Sequence, residues 1–398
     1  MKEKYNKLGY LLILLIASVI MPSCDEETKD APCQDPSEEA VLSISVKPVT
    51  RGDGDSDIEV INSLRLILLD EAGKVKGNIL TSYNSSKSAE NFVETYNFDL
   101  ALGKYKVYAI VNEGSINSFV SENEDKRFQG LTLQESLDSF IQGNSGFEDF
   151  VNNICFTPDY TKAIPYTSCY PITVDKSEVA ATVYLVPVAT KFDIKFFNYR
   201  NESVILNKVS IEKVANQNYL MAKIPEEYQY KGDNYWIDWL QEVSEDTTNH
   251  PELGSGNDSN DLVNDKWGWL THYELPATSE HNSTNLIEEG TTWEIPAEET
   301  QIGGIPKPGL FSKKNLYLPE SKYIPEDSSS QFYTISFEIQ KGIDEVLVLI
   351  GEIYNLKTLF RNSYLIVNVE MSSEVDDIYV EILRWTTRDP VYGTIVPE

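Results

Sequence analysis

Residues 41–46 read VLSISV, in which apolar and polar side chains alternate from Leu42 onward. This period of two is typical of a half-buried β-strand, because successive side chains point to opposite faces of a sheet. Residues 104–112, which read KYKVYAIVN, give a second strand signal, and residues 58–70 and 92–100 give two more. Turn-forming sequences such as EAGK at 71–74 separate these stretches. The first half of the chain is therefore predicted to consist of short strands.

The pattern continues along the rest of the chain. Further strand signals lie at residues 170–174, 180–186, 191–197, 203–214, 331–340, 345–354, 363–371 and 378–385. One helix is predicted at residues 132–141, which begin with capping-box spacing. Its apolar face comprises Leu133, Leu137, Phe140 and Ile141. Short, regularly spaced strands favour an all-β fold of two consecutive antiparallel β-sandwich domains with a few short helices.

We place the boundary between the two sandwiches near residue 188. The N-terminal sandwich domain is then predicted to span residues 52–188 and the C-terminal one residues 189–385. Residues 215–310 form an irregular, polar insert in the second domain that is rich in Trp. The length of 398 residues agrees with this division, since a domain typically takes ~150 residues.

The chain is strongly acidic. Asp and Glu number 63 against 33 Lys plus Arg, which gives a net charge of −30 at pH 7. A surface this negative repels phosphate backbones, so nucleic-acid binding is excluded as a function class. Three His and four Cys leave little material for a metal site, and no hydrolase, zinc-protease or nucleotide-binding motif occurs. We therefore expect no enzyme, no cofactor and no metal.

The N-terminus resembles an export signal. Three Lys within residues 2–7 precede a nearly unbroken apolar stretch at 8–21, too short for a membrane span but suited to a signal peptide. The stretch ends in Met-Pro-Ser-Cys24, which is similar to a bacterial lipobox. We expect residues 1–23 to be removed and Cys24 to be acylated, anchoring the precursor to the outer membrane. An ordinary secretory signal with an incidental Cys is the alternative.

Cys155 and Cys169 flank a loop of 13 residues. An exported protein meets an oxidising environment, in which these two thiols could form a disulfide. Two buried free thiols explain the sequence equally well, so the sequence leaves the pairing open.

The insert carries a cluster of Trp residues that allows two interpretations. Exposed indole rings could stack on sugar rings of a ligand. Alternatively, the rings cover the sheet of the second domain as a small additional core. The ligand-stacking candidates are Trp236, Trp239, Trp267 and Trp269, and Trp293 belongs to the same cluster.

Several segments together resemble the FimA-type fimbrillins of Bacteroidales, the subunits of type V pili. Residues 103–112 (GKYKVYAIVN) are similar to the family's Y-x-V-Y-A-I-V-N segment, and residues 60–68 (VINSLRLIL) to its opening strand. Residues 316–320 (LYLPE) resemble its Y-L-P-E-N motif, with Ser321 in place of Asn. The segment from Arg361 to Tyr364 and the terminal VEILRW at 380–385 complete the likeness, which covers most of the chain except the insert. It implies a transthyretin-like topology for each sandwich.

The resemblance also implies a maturation route. A trypsin-like, Arg-specific protease would cut between Arg51 and Gly52 and remove a propeptide of residues 24–51, including the first strand. The uncovered groove would accept a strand from a neighbouring subunit, because unpaired strand edges are templates for further pairing. The donor would be the C-terminal tail at residues 386–398. Its candidate strand residues are Val391, Tyr392, Ile395 and Val396.

The expected function is thus a structural subunit of a surface fimbria that supports adhesion. Its expected partners are other fimbrial subunits, the outer membrane before maturation, the protease, and a ligand on host or bacterial surfaces. Two alternatives stay open: a tip adhesin or membrane-retained anchor of the fimbria, and a surface glycan-binding lipoprotein unrelated to pili. A disordered tail is the simpler interpretation of residues 386–398.

Overall fold

The computed structural model describes residues 39–48, 57–121, 126–223, 282–299, 307–322, 333–341, 345–353, 358–359, 361–371 and 376–384. Strands dominate this part of the chain, as the sequence predicted. In chain order they are β1 (Glu39–Pro48), β2 (Val60–Asp70), β3 (Val75–Ser88), β4 (Glu94–Ala101), β5 (Gly103–Val111), β6 (Phe119–Ser121), β7 (Ile154–Phe156), β8 (Tyr166–Val174), β9 (Glu178–Pro187), β10 (Thr190–Asn198), β11 (Val204–Glu212), β12 (Asn218–Tyr219), β13 (Ser283–Asn285), β14 (Trp293–Ile295), β15 (Gly309–Leu318), β16 (Ser321–Lys322), β17 (Tyr333–Lys341), β18 (Glu345–Ile353), β19 (Thr358–Leu359), β20 (Ser363–Met371) and β21 (Asp376–Arg384).

The first sandwich is a seven-stranded sheet folded on itself, with the strand order β3-β2-β5-β8-β9-β1-β4. Strands β8 and β9 are paired only through Tyr166 with Pro187 and Thr167 with Val186, and they separate beyond these two pairs. The sheet therefore divides into a layer of β3, β2, β5 and β8 and a layer of β9, β1 and β4. Alternate apolar side chains of both layers meet in one core, which includes Leu64, Val107 and Val183.

A second apolar cluster covers the outer face of the β3-β2-β5-β8 layer. Ile67 and Ile110 on that face pack against two short helices, α1 (Leu133–Asp138) and α2 (Phe147–Val151). Helix α1 begins with the predicted capping box, in which Thr132 Oγ1 accepts a hydrogen bond from the Glu135 amide. The helix is shorter than predicted. Ile141, which we expected on its buried face, lies beyond its end and is 65% exposed.

The second sandwich comprises a sheet of order β15-β10-β20-β21 and a sheet of order β13-β11-β17-β18, with β14 also paired to β11. Their inner faces share a core that includes Phe196, Leu206 and Val367. Two small sheets, β12-β7-β6 and β16-β19, complete the pairing among the described strands. The predicted fold of two consecutive β-sandwiches with few helices is confirmed.

Two strand pairs run parallel. Strand β1 is parallel to β9, and β10 is parallel to β20, whereas the other paired strands of both sandwiches are antiparallel. Parallel neighbours cannot be joined by a tight hairpin, and each of these pairs joins strands more than 100 residues apart in the sequence. The sequence prediction of purely antiparallel sandwiches missed both pairs, because local alternation carries no information about such distant pairing.

No helix within the described residues is long and apolar enough to cross a membrane.

Candidate functional site

Strand β1 is the central strand of its three-stranded layer. It pairs with β4 along eight residues, from Glu39 opposite Ala101 to Val46 opposite Glu94. On its other side it pairs with β9 along eight residues, from Val41 opposite Glu178 to Pro48 opposite Leu185. Because both of its edges are occupied, β1 supplies much of the backbone hydrogen bonding of this layer.

The side chains of β1 follow the alternation that the sequence predicted. Four apolar side chains point into the core of the first sandwich, and each has at most 1% of its surface exposed: Ala40, Leu42, Ile44 and Val46. The intervening residues face outward, where Ser43 Oγ donates to Asn97 Oδ1 at 2.7 Å. Full burial of an aliphatic side chain stabilises a fold by ~1.5–3 kcal/mol. Strand β1 is therefore a structural part of the core and not a loosely attached arm.

The strands beside β1 depend on it unequally. Among the described strands, β4 has no ladder partner other than β1. Strand β9 keeps only its two pairs with β8. Removal of β1 would therefore leave β4 without a backbone partner and uncover an apolar groove between β4 and β9. Some side-chain contacts would still hold β4, since Tyr96 Oη donates to Thr81 Oγ1 at 2.9 Å.

A cleft of about 430 Å³ separates β8 from β9 where their pairing stops. Tyr170, Ile172 and Tyr184 are among its lining residues. Pro171 lies at the same cleft on β8. Proline has no amide hydrogen and typically lies on strand edges, where it discourages the addition of a further strand. Pro171 thus hinders strand addition at the edge of β8, whereas the position of β1 accommodates a strand that is paired on both edges.

The chain is firmly held just before β2. Glu59 directly precedes this strand and is buried, and its Oε1 accepts hydrogen bonds from Lys191 Nζ and Tyr317 Oη, both at 2.7 Å. Lys191 belongs to β10 of the second sandwich and is 2% exposed. The neighbouring Tyr166 ring is fully buried, and this burial, together with the Glu59 carboxylate, raises the pKa of Tyr166 well above its usual value.

Asn112 also holds the start of β2, through three hydrogen bonds of its side chain. It adopts a left-handed conformation (φ 57°) that Asn tolerates better than most residues. Its side-chain amide donates to the carbonyls of Val60 and Ile164, each at 2.7 Å, and its Oδ1 accepts from the Asn62 amide at 2.8 Å. The last residue of the AIVN sequence therefore fixes the start of β2. If β1 were removed, these hydrogen bonds would keep the start of β2 in place.

A buried ion pair of the second sandwich lies at its junction with the first. Arg361 Nε donates to Glu320 Oε2 at 2.8 Å, Arg361 Nη2 lies 2.7 Å from the same oxygen, and both side chains are 1% exposed. Arg361 Nη1 also donates to the Leu220 carbonyl at 3.1 Å and to Thr167 Oγ1, which belongs to β8, at 3.3 Å. Asn218 Oδ1 accepts from the Glu320 amide at 2.8 Å. The LYLPE sequence and Arg361 thus meet at the junction of the sandwiches.

Most of the predicted site residues lie outside the described residues. These are Cys24, Arg51, Gly52, Trp236, Trp239, Trp267, Trp269, Val391, Tyr392, Ile395 and Val396. Trp293 is described, and it packs against Phe311 with ring centroids 5.5 Å apart in the core of the second sandwich. For Trp293 the structure therefore agrees with the core interpretation.

Cys155 and Cys169 are both reduced thiols in this structure. Cys155 Sγ donates to Gln217 Oε1 at 3.3 Å. Burial of the Cys169 sulfur raises its pKa to about 12, and the nearby Glu148 carboxylate adds to this effect. The disulfide between the two cysteines stays a prediction. No group of three or more His, Cys, Asp or Glu side chains that could hold a metal ion occurs in the described part of the chain.

Sequence reasoning missed several residues that hold the site together. Glu59, Lys191 and Asn218 stand in unremarkable sequence surroundings, and their partners are far away along the chain. A buried charge must be paired, but the sequence does not say which charges are buried. The available signal was the likeness of AIVN and LYLPE to fimbrillin motifs, because Asn112, Tyr317 and Glu320 lie within those segments.

The two sandwiches, each with one parallel pair beside its antiparallel strands, have a fold known from fimbrial proteins. The structure is similar to that of the tip fimbrial protein Mfa3 from Porphyromonas gingivalis with C-terminal truncation. The TM-score is 0.50 at 11% sequence identity, and the match covers 87% of this chain and 100% of that chain. A fimbrial assembly protein from Parabacteroides distasonis matches with a TM-score of 0.42 at 12% identity, over 87% of this chain and 98% of that chain. No protein-family model and no curated protein matches the sequence.

Proposed function

We propose that the chain is a structural subunit of a cell-surface fimbria. It reaches the outer membrane as a lipoprotein acylated at Cys24, and an Arg-specific protease cuts it between Arg51 and Gly52. It then joins other subunits by donor-strand exchange. The fold shared with a fimbrial tip protein supports a place in such an assembly.

The position of β1 is the observation that carries the proposal. A subunit that exchanges strands needs a strand that completes the core yet can be detached by one cut. Strand β1 fills the core with four alternating side chains, and Arg51 follows its last residue, Pro48, by three positions. Before Arg65, which is 2% exposed, Arg51 is the first and only Arg of the sequence.

The groove left by β1 suits strand addition for a physical reason. Its walls are the edges of β4 and β9, whose backbone groups would lose their partners. A new strand would satisfy both edges and refill the apolar core in one step. The contacts of Glu59 and Asn112 would confine the change to β1, because they hold the chain that follows the cut.

Digestion of recombinant residues 25–398 with an Arg-specific protease tests this function. The chain should carry Arg388→Lys, so that the tail is not cut, and Arg51→Lys serves as the matched control. We expect a new N-terminus at Gly52, followed by uptake of a fluorescent peptide of residues 39–48 in place of the native β1. The Arg51→Lys chain should show neither change.

The size of the cut protein distinguishes a shaft subunit from a tip subunit. Ladders that resist SDS and disappear on deletion of residues 386–398 would mark a shaft subunit that assembles with itself. Peptide uptake without ladders would mark a tip subunit or one that joins a different subunit. A chain that stays uncut at Arg51, or that takes up no peptide after cleavage, would contradict strand exchange and favour an anchor or a glycan-binding lipoprotein.

A further inference from the structure

Strand β1, which lies between β4 and β9, shows which kind of segment fits the groove that its removal would leave. Its inward positions hold Ala40, Leu42, Ile44 and Val46, all essentially fully buried. Its ladders extend over eight pairs on each side. An occupant with both edges paired needs the backbone amides inside its ladders, where a proline would remove a hydrogen bond; Pro48 of β1 stands only at the last position. The groove therefore requires an extended segment without internal proline and with four alternating apolar side chains.

The tail of this chain does not meet these requirements. Between Pro390 and Pro397 it offers six residues, against nine in β1 before Pro48. One face of an extended tail would present Val391, Gly393 and Ile395, and the other face Tyr392, Thr394 and Val396. The middle position of each face is Gly or Thr. This holds for either direction of the inserted strand, because reversing a strand keeps the two faces.

Neither Gly393 nor Thr394 fits the middle of the groove well. The central inward positions of β1 are Leu42 and Ile44, both 0% exposed. Gly393 at such a position would leave the volume of a large side chain empty, and a cavity of this kind is costly because the surrounding core relaxes only in part. Thr394 there would bury a hydroxyl in an apolar core.

We propose that the groove of this subunit accepts a strand from a different protein and not the tail of a second copy. The partner presents an extended segment of eight residues without internal proline, with apolar side chains at four alternating positions and large aliphatic ones at the middle two. The tail of this chain, if it is a donor, then enters the groove of another kind of subunit. This inference rests on the proposed strand exchange.

Competition between peptides for the cut protein tests it. The protein is the chain of residues 25–398 with Arg388→Lys, cut at Arg51 and loaded with the fluorescent peptide of residues 39–48. Four unlabelled peptides compete: residues 39–48, the same peptide with Leu42→Gly, the tail 386–398, and the tail with Gly393→Leu and Pro397→Val. In the last peptide, Gly393→Leu restores the apolar alternation, and Pro397→Val removes the proline that ends the six-residue stretch.

We expect the peptide of residues 39–48 and the substituted tail to compete well. The native tail and the Leu42→Gly peptide should compete at least ~100-fold less well, because each leaves a central cavity. A native tail within 10-fold of residues 39–48, or a substituted tail no better than the native one, would overturn the inference while strand exchange stands. Failure of residues 39–48 to bind at all would overturn both.

Discussion

At the scale of single residues, the charged side chains of the chain fall into two groups with different energetic roles. Most lie in solvent, but Arg361 and Glu320 are paired at 2.7 Å with 1% of each side chain exposed. Removing one partner of a buried pair leaves an uncompensated charge, which costs far more than the loss of a surface pair. The Arg361–Glu320 pair therefore stabilises the second sandwich at its junction with the first, where Arg361 also donates to Thr167 of β8.

Glu320→Gln should lower the free energy of unfolding by ~3–5 kcal/mol, because the Arg361 charge would stay buried without its counter-ion. Glu338→Gln is the matched control. Glu338 pairs with Lys208 at 3.5 Å, and both side chains are more than a third exposed, so its loss should cost only ~0–1 kcal/mol. Urea unfolding of both variants measures the difference. Equal effects would contradict a structural role for the buried pair.

Some contacts of single residues could not be predicted from the sequence. Glu59 and Lys191 are 132 positions apart, yet their side chains pair at 2.7 Å. No local pattern predicts that contact, since it follows from how the two sandwiches pack. Asn112 could be singled out only through the likeness of its segment to a family, and its left-handed backbone and three hydrogen bonds became visible in the structure.

At the scale of elements, β1 and β4 form a dependent pair. Strand β4 gains its ladder from β1 alone among the described strands, whereas β2 and β5 are paired on both sides. Backbone amides exchange slowly when their hydrogen bonds open only with the surrounding structure. The stability of β4 should therefore follow the presence of β1 more closely than that of any other strand of the first sandwich.

Hydrogen exchange measures this dependence. Once the chain is cut at Arg51 and the β1 segment has been removed, amides of residues 94–101 should exchange faster by at least ~10-fold, since their ladder partner is gone. Amides of β5, which keeps its pairs with β2 and β8, serve as the internal control. Addition of the peptide of residues 39–48 should restore slow exchange in β4. Unchanged exchange in β4 would mean that another part of the chain holds it.

The elements also show which sequence patterns sufficed. Strands β1, β5 and β20 have clear apolar alternation or long apolar runs, and the sequence predicted all three. The sequence missed β3, whose second half reads TSYNSSKS and is mostly exposed, because strand patterns depend on burial. It also missed β15, which reads GLFSKKNLYL and begins inside the predicted irregular insert.

At the scale of the whole molecule, the charge constrains how subunits can associate. The chain carries a net charge of −30 at pH 7, so copies of it repel one another. In the proposed strand exchange, backbone hydrogen bonds and apolar burial in the β1 groove oppose this repulsion. The alternation of residues 41–46 was readable from the sequence, but the flanking strands of the groove were not. Its parallel neighbour β9 comes from more than 100 residues away.

Strand exchange requires that β1 leaves its place before another strand can enter. Ser45 and Thr95 face each other across β1 and β4 with their hydroxyl oxygens 3.3 Å apart. Their side chains are thus close enough for Ser45→Cys and Thr95→Cys to form a disulfide that ties β1 to β4. The reducible bond makes the release of β1 controllable in a chain that has already been cut at Arg51. The single variant Ser45→Cys is the control.

The most direct measurement is the uptake of the fluorescent peptide of residues 39–48 by this cut double variant, before and after reduction. We expect no uptake while the disulfide is closed, and uptake equal to that of the Ser45→Cys control once it is reduced. Equal uptake in both states would show that the peptide binds elsewhere on the molecule, and it would contradict strand exchange at the β1 groove.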